Sequence, residues 1–332
     1  MSALAIIGAG SWGTALAIVL APRFERIQFW ANEADLVERM AVSRENDVFL
    51  PGARLPANVM PTGDLGAALQ ASEIVVSVMP SRFVRGLYTR MLPNLNPEMH
   101  FVSATKGLEQ GTLQRMSQVI RDVVGKRFEP RIAVLSGPTF ANEVAQGEPT
   151  AVVISSDDRE LAASVQRAFS GPTFRLYTNG DPIGVEMGAA LKNVIAIGAG
   201  ICQGLGLGSN VMAALMTRGL AEISRLAVAL GGRPQTLAGL AGLGDLVLTC
   251  TGDLSRNRRV GIELARNRSL QEIVSSMTMI AEGVETTSAA VALARRFHVD
   301  MPISEQMDCI LRGARAPREA IRELMERTLK DE

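Results

Sequence analysis

Short apolar runs separated by helical stretches dominate the first part of the chain. Many of their side chains are β-branched or aromatic, a pattern typical of strands that are buried on both faces. The runs lie at residues 4–7, 27–30, 74–79, 101–104, 132–136, 151–154 and 173–177. Because strands that alternate with helices build parallel sheets, the pattern predicts an α/β fold with a doubly wound, mostly parallel sheet.

The pattern changes near residues 179–182, and this change divides the chain. Beyond it, apolar residues recur at helical spacing and strand-like runs disappear. A length of 332 residues also favours two domains over one. We therefore predict a sheet domain over 1–180 and an all-helical domain over 181–332. Within the first domain, prolines and a glycine in 42–62 predict a loop that crosses the surface.

A glycine-rich turn follows the first predicted strand. Gly8, Gly10 and Gly13 have G-x-G-x-x-G spacing, and an alanine-rich helical stretch comes next. The first glycine permits a tight turn, the second lets a pyrophosphate approach the backbone, and the third lets helix and strand pack closely. The helix start offers N–H groups to phosphates. The turn predicts a Rossmann NAD(P)-binding domain, with a purely structural turn as the alternative.

The end of the second predicted strand bears on the choice of cofactor. An acidic residue there binds the ribose 2′-hydroxyl of NAD, whereas an arginine accommodates the 2′-phosphate of NADP. This chain has Asn32, which suits either cofactor, and Glu33, which also fits a helix start. The residues alone therefore leave NAD and NADP open.

Net charge and cysteine content limit the kinds of partner and the cellular location that we expect. Lys plus Arg and Asp plus Glu both number 34, so the zero net charge argues against nucleic acid or a membrane surface as partner. Cys202, Cys250 and Cys309 form neither a metal-binding spacing nor a disulfide framework, which favours a reducing, cytoplasmic location. We expect no signal peptide, no membrane anchor and no metal. A homodimer remains open.

One lysine stands out in the longest apolar stretch, which covers 187–208. Lys192 lies where apolar residues surround the predicted helix, so this helix is expected to be buried rather than membrane-spanning. A buried ammonium has a lowered pKa, which suits it to proton transfer. The alternative is a lysine whose head reaches water at the helix edge.

Asp245 follows three glycines within 239–244, whose backbone allows close approach to another group. Its carboxylate is predicted either to bind a substrate hydroxyl and steady Lys192, or to cap a helix.

A basic cluster at residues 255–259 (SRNRR) in this neutral protein suggests a phosphate site. Ser255 is a credible helix cap, and Arg256 and Asn257 place a guanidinium and an amide where a helix start already favours anions. A solvated basic helix face is the alternative. Lys106 follows a strand at the predicted ligand edge of the sheet, where a cation can hold a phosphate or polarise a carbonyl.

The histidines, His100 and His298, are both interpreted as structural. A lysine acid is therefore favoured over a histidine acid.

Taken together, these stretches resemble the soluble, bacterial type of NAD(P)-dependent glycerol-3-phosphate dehydrogenase over nearly the whole chain. The motifs that carry the resemblance are 8–17 (GAGSWGTALA), 104–109 (ATKGLE), 136–141 (SGPTFA), 190–194 (ALKNV), 242–246 (GLGDL), 255–257 (SRN) and 281–286 (AEGVET). Several ordered motifs at family-like spacing are far more specific than any one of them.

The resemblance implies reduction of dihydroxyacetone phosphate to sn-glycerol 3-phosphate, which supplies phospholipid synthesis. Lys192 matches the general acid, and Arg256 and Asn257 match the phosphate ligands. The positions that match the substrate site are Lys106, Gly137, Thr139, Lys192, Asp245, Ser255, Arg256 and Asn257. The positions assigned to the cofactor are Gly8, Gly10, Ser11, Trp12, Gly13, Asn32, Lys106, Ala141, Arg256, Ile280 and Glu282.

The resemblance favours NADPH slightly, although this chain lacks the basic residue that many relatives carry beside Asn32. Two rival functions remain. One is a related reductase acting on a 3-hydroxy acid or on a keto acid without phosphate, and the other is a nucleotide-binding sensor without turnover.

Overall fold

The structure is a computed structural model that describes residues 3–70, 72–277 and 281–328. The strands in this part of the chain are β1 (Ala3–Ile7), β2 (Arg26–Trp30), β3 (Val59–Thr62), β4 (Ile74–Ser77), β5 (His100–Ser103), β6 (Arg131–Ser136), β7 (Thr150–Ser155) and β8 (Phe174–Asn179). The helices near the sheet are α1 (Ser11–Leu20), α2 (Ala34–Ser43), α3 (Leu65–Leu69), α4 (Val84–Met91), α5 (Met116–Val124), α6 (Ala141–Ala145) and α7 (Arg159–Phe169). Those that follow are α8 (Pro182–Gly204), α9 (Ser209–Ala229), α10 (Pro234–Leu237), α11 (Asp245–Thr251), α12 (Arg256–Ala265), α13 (Leu270–Ser275), α14 (Glu282–Arg296), α15 (Pro302–Leu311) and α16 (Pro317–Met325).

All eight strands form one sheet in the order β3-β2-β1-β4-β5-β6-β7-β8. The six strands from β3 to β6 pair in parallel, in the 3-2-1-4-5-6 order of a Rossmann domain. Strand β7 runs antiparallel to β6, and β8 runs parallel to β7. The predicted fold class, a Rossmann-type sheet followed by helices, is confirmed.

The first strand shows why the sheet is covered on both faces. Side chains alternate across a strand, so Leu4 and Ile6 pack into one apolar cluster, whereas Ala5 and Ile7 pack into the other. All four are fully buried. A continuous apolar run is therefore what this position in the sheet requires.

The prediction of a surface loop over 42–62 was wrong in two places. Its last residues form the edge strand β3, in which Pro61 lies opposite Phe29 of β2. Proline is tolerated there because an edge strand needs no hydrogen bond on its outer side. In addition, Asn46 is fully buried, so the chain does not simply cross the surface at this point.

The chain divides into two compact units. The first contains Met1–Lys106 and Gln114–Glu186, and the second contains Gly107–Leu113 and Met187–Glu332. Helix α8 contributes its first residues to the first unit and the remainder to the second. The domain boundary after residue 180 stays a prediction.

Helix α8 is long and apolar enough to cross a membrane, but its apolar stretch is wholly buried inside the structure. Burial of this helix is what the sequence predicted. This helix carries Lys192, and other segments of the second unit pack against it.

A buried carboxylate joins two helices of the second unit. Glu222 of α9 accepts hydrogen bonds from Ile303 N (2.6 Å), Ser304 N (3.1 Å) and Ser304 Oγ (3.1 Å), and so caps the start of α15. Burial raises the pKa of Glu222 to about 7, although these hydrogen bonds oppose the rise. Folding therefore favours the protonated form of this group.

We expect Glu222 to make stability fall as pH rises. Because its pKa in the folded protein, about 7, exceeds the ordinary value of 4.5, the folded state holds a proton that the unfolded chain has already lost. Between about pH 5 and about pH 8, the wild type should lose roughly 2 kcal/mol of unfolding free energy relative to Glu222→Gln. Melting temperatures of both proteins across this range check the prediction, and parallel profiles would contradict it.

Candidate active site

The glycine-rich turn between β1 and α1 has the geometry expected from its spacing. Gly8 has a φ of +122°, and a Cβ there would lie 2.4 Å from Val78 O. A Cβ on Gly13 would lie 1.9 Å from Gly8 O, so only glycine allows α1 to pack this close. In contrast, no described atom lies within 4 Å of a Cβ built on Gly10. The turn therefore leaves open space at the position expected to face the pyrophosphate.

Donor groups at the start of α1 fit an anion. Within the described part of the chain, the N–H groups of Gly8 and Thr14 donate to backbone carbonyls, whereas those of Gly10, Trp12 and Gly13 make no hydrogen bond to another backbone group. Such N–H groups and the helix dipole favour a phosphate. The residues present therefore fit a bound dinucleotide.

Three residues near this turn contact either the apolar core or the loop after α2. Ser11 Oγ donates to Phe49 O at 2.7 Å. The Trp12 ring packs 6.5 Å from that of Phe174, and its buried Nε1 has no acceptor among the described residues. Ala141 begins α6 and packs on the same apolar cluster. These residues are therefore placed to contribute backbone and shape to a cofactor site.

Asn32 lies exposed just beyond β2. The arginines that follow Asn32, on α2 and just after it, already form ion pairs or hydrogen bonds within the protein. Arg39 pairs with Asp35 at 2.7 Å and with Asp47 at 3.0 Å, and Arg44 donates to Val59 O at 2.8 Å. Slight preference for NADPH stays a prediction.

Lys106, Gly137 and Thr139 meet at the carboxyl edge of the sheet. Lys106 follows β5, and the other two follow β6. Gly137 O accepts from Lys106 Nζ at 3.1 Å and from Thr139 Oγ1 at 3.3 Å. The φ of Gly137 is +146°, and a Cβ would lie 3.0 Å from Val152 Cα. Its backbone therefore brings a half-buried ammonium and a hydroxyl together.

A buried ion pair lies in the second unit. Lys192 Nζ donates to Asp245 Oδ1 at 2.6 Å and to Thr249 Oγ1 at 2.7 Å. Lys192 is 6% exposed, and Asp245 is not exposed at all. Thr249 Oγ1 in turn donates to Asp245 O at 2.6 Å. Asp245 is the first residue of α11, and Gly244 occupies the cap position before it. Its predicted binding of a substrate hydroxyl stays a prediction.

Close helix packing holds this pair in place. A Cβ on Gly188 of α8 would lie 2.6 Å from Ala241 O, so the segment that leads to Asp245 rests directly on α8. A Cβ on Gly261 of α12 would lie 2.0 Å from Ile197 O, and one on Gly283 of α14 would lie 2.7 Å from Asn193 O. Three glycines thus let separate segments touch the backbone of α8 within a few turns of Lys192.

The start of α12 gathers the other predicted residues of the second unit. Ser255 caps the helix, because its Oγ accepts from Arg258 N at 3.3 Å. The buried Asn257 accepts from Gly283 N at 2.9 Å through Oδ1, which ties the starts of α12 and α14 together. Glu282 begins α14. Ile280 lies outside the described residues.

Arg256 is the exposed cation of this group. Nearby protein atoms lower the pKa of its guanidinium by desolvation, and the Glu282 carboxylate opposes that effect. An arginine keeps its charge under such conditions. A fixed positive charge, a helix start and the amide of Asn257 therefore lie together, as a phosphate site requires.

Two titratable side chains, His100 and Cys250, have pKa values that suit them poorly to proton transfer near neutral pH. Burial and the neighbouring Arg131 lower the pKa of His100, whose ring lies 3.2 Å from that guanidinium. Burial raises the pKa of Cys250 to about 12. Among the described residues, no group of three or more His, Cys, Asp or Glu side chains could hold a metal ion.

The strand order, the glycine-rich turn and a buried lysine are features typical of the nicotinamide-dependent oxidoreductases, and comparison with known families places the chain in that class. The model of the NAD-dependent glycerol-3-phosphate dehydrogenase N-terminus matches residues 3–162, and that of its C-terminus matches 181–322. The chain belongs to this family. The resemblance inferred from the sequence, and the predicted NAD(P)-dependent oxidoreductase, are confirmed.

Curated relatives and a solved structure agree with this assignment. The chain is 58% identical over 329 residues to glycerol-3-phosphate dehydrogenase [NAD(P)+] of Koribacter versatilis, with 98% of each chain covered. It is 52% identical to the Acidobacterium capsulatum protein of that name, with both chains fully covered. The crystal structure of glycerol-3-phosphate dehydrogenase from Coxiella burnetii is similar, with a TM-score of 0.94, 40% identity and 98% and 99% coverage.

Sequence reasoning missed two residues that support the site. Thr249 lies four positions after Asp245 on α11, so helical spacing places both on one face, and this signal could have found it. Asn46 contacts the glycine-rich turn from a segment interpreted as a surface loop. No local signal marks it, because its partners lie more than thirty residues away in the chain.

Proposed function

We propose that this protein reduces dihydroxyacetone phosphate to sn-glycerol 3-phosphate with NADPH or NADH, and that Lys192 is its general acid. The observation that carries the mechanism is the buried Lys192–Asp245 pair, 2.6 Å apart. Membership of the family supports the substrate, and the relatives' printed name covers both cofactors.

The first unit supplies the residues proposed to hold the dinucleotide. N–H groups at the start of α1 bind the pyrophosphate, and the space at Gly10 admits it. Asn32 lies where the adenosine ribose is expected, and Ala141 and Lys106 complete the set. When bound, the reduced nicotinamide supplies the hydride for the C2 carbon of the ketone. The resemblance also assigns Arg256, Ile280 and Glu282 to the cofactor.

Lys192 provides the proton that the reduction consumes. As hydride reaches C2, negative charge grows on the carbonyl oxygen, and the ammonium both stabilises that charge and donates its proton to the oxygen. The C2 oxygen becomes a hydroxyl, and the neutral amine then recovers a proton from water. Asp245 and Thr249 hold Nζ in direction, because each accepts one of its hydrogen bonds.

The phosphate of the substrate is proposed to bind at the start of α12. Arg256 contributes a fixed charge and a planar pair of donors, and Asn257 contributes its amide N–H group. Lys106, Gly137, Thr139, Asp245 and Ser255 are the further substrate positions implied by the resemblance. Binding energy from the remote phosphate then orients the reacting carbon.

We further propose a cytoplasmic enzyme that supplies glycerol phosphate to phospholipid synthesis. The cysteines support this location, since those in the structure are all free thiols.

A substrate and cofactor comparison tests the proposed function. Purified protein should oxidise NADPH and NADH with dihydroxyacetone phosphate, and much more slowly with keto acids that lack phosphate, because those cannot use Arg256. Loss of nicotinamide absorbance measures each rate. Faster turnover of a keto acid would favour the rival reductase, and nucleotide binding with no turnover of any substrate would favour the sensor.

A further inference from the structure

A buried asparagine outside the predicted site donates its amide N–H groups to the glycine-rich turn and to the start of α1. Asn46 is not exposed. Its Nδ2 donates to Ala9 O and to Thr14 Oγ1, both at 2.8 Å, and its Oδ1 accepts from Phe49 N at 3.1 Å. Thr14 Oγ1 then donates to Gly10 O at 2.9 Å. Thr14 N also donates to Gly10 O, at 2.9 Å. Asn46 therefore holds the Ala9 carbonyl directly, and it steadies the Thr14 hydroxyl that, together with Thr14 N, holds the Gly10 carbonyl.

Because the peptide group is planar, these contacts also fix the directions of the N–H groups of Gly10 and Ser11. In a planar trans peptide, the C=O of one residue and the N–H of the next point in opposite directions. A carbonyl of Ala9 aimed at Asn46 therefore directs the N–H of Gly10 away from it. In the same way, a Gly10 carbonyl aimed at Thr14 directs the N–H of Ser11 away. These are N–H groups that a pyrophosphate at the start of α1 would bind.

We propose that Asn46 is a positioning residue for the cofactor pyrophosphate, acting through the peptide groups of Ala9 and Gly10. This inference rests on the dinucleotide site proposed above. Preorganised donors bind tightly only when surrounding hydrogen bonds fix their direction. Ser11 strengthens the arrangement, because its hydroxyl donates to Phe49 O and so ties the turn to the same loop.

Replacing Asn46 with aspartate should weaken binding of NADPH and NADH alike, by roughly tenfold or more. A carboxylate keeps the size of the side chain but cannot donate to Ala9 O, and it draws the Thr14 proton away from Gly10 O. The dissociation constant of each nucleotide, measured by nicotinamide fluorescence on the variant without substrate, checks this. The KM for dihydroxyacetone phosphate at saturating cofactor should change little.

Asn58→Asp is the matched control. Asn58 lies in the same segment, and its Nδ2 also donates to two carbonyls, Ala21 O at 2.9 Å and Phe24 O at 2.8 Å, but neither belongs to the turn. Both variants should lose thermal stability, whereas only the Asn46 variant should lose nucleotide affinity. Equal loss of affinity in both would overturn the inference, since a general structural effect would then explain it.

A neutral variant distinguishes the loss of donor orientation from the effect of the added negative charge. Asn46→Leu removes both donated hydrogen bonds without adding a carboxylate, and we expect weaker nucleotide binding there as well. Wild-type affinity in Asn46→Leu, with loss only in Asn46→Asp, would assign the effect to charge and overturn the inference. Wild-type protein that binds neither nucleotide would refute the proposed function as well, whereas normal binding by Asn46→Asp would refute the inference alone.

Discussion

Replacing Lys192 with methionine is expected to lower kcat by about a hundred- to ten-thousandfold, the usual contribution of a general acid. The physical reason is that the variant has no proton to give the C2 oxygen and no positive charge beside it. Nucleotide affinity should be retained, because the glycine-rich turn that is proposed to bind the pyrophosphate is unchanged. Steady-state rates and fluorescence titration with NADPH provide the measurement.

A second variant guards against a folding defect. Lys192→Met leaves the fully buried Asp245 without its cation, and such a loss can destabilise a protein by about 3–5 kcal/mol. Lys192→Met combined with Asp245→Asn removes both charges and should recover melting temperature but not kcat. If either protein retained near wild-type turnover, Lys192 would not be the acid.

Replacing Arg256 with alanine is expected to raise the KM for dihydroxyacetone phosphate by about ten- to a hundredfold. A charge-assisted hydrogen bond to a phosphate contributes about 1.5–3 kcal/mol, which corresponds to that range. The loss should fall on phosphate-bearing substrates, so the ratio of rates with dihydroxyacetone phosphate and with dihydroxyacetone should shrink. Initial rates across substrate concentration measure both effects.

Arg259→Ala is the control for a general loss of charge. Arg259 belongs to the same basic cluster and lies exposed on α12. Its removal should leave KM within about twofold, because an isolated surface charge contributes little. An unchanged KM in Arg256→Ala, or an equal rise in both variants, would reject the assignment of the phosphate site.

Most of the sheet could be predicted because a buried parallel strand must be apolar on both faces. Residues 4–7 and 132–136 show this, and their strands were placed within about a residue or two. Strand β3 was missed because it lies at the edge and contains Pro61, so its sequence looks like a turn. Pairing with β2, a contact between distant segments, is what makes it a strand.

The residues of the candidate site were likewise predicted only in part. Motifs located Lys192, Asp245 and the start of α12, since their chemistry is local. Thr249 and Asn46 were missed because neither residue type is unusual where it lies. Thr249 could have been found from its helical spacing to Asp245, whereas the contacts of Asn46 with the glycine-rich turn arise only from the fold.

The glycines that rest on α8 limit how this enzyme can be redesigned. Adding even one methyl group at Gly188, Gly261 or Gly283 would push a whole segment outward and move the groups beside Lys192. A mutant library aimed at new ketone substrates should therefore keep these three positions constant. Diversity is better introduced at exposed side chains around the start of α12, such as Leu254, where a change of volume is absorbed by solvent.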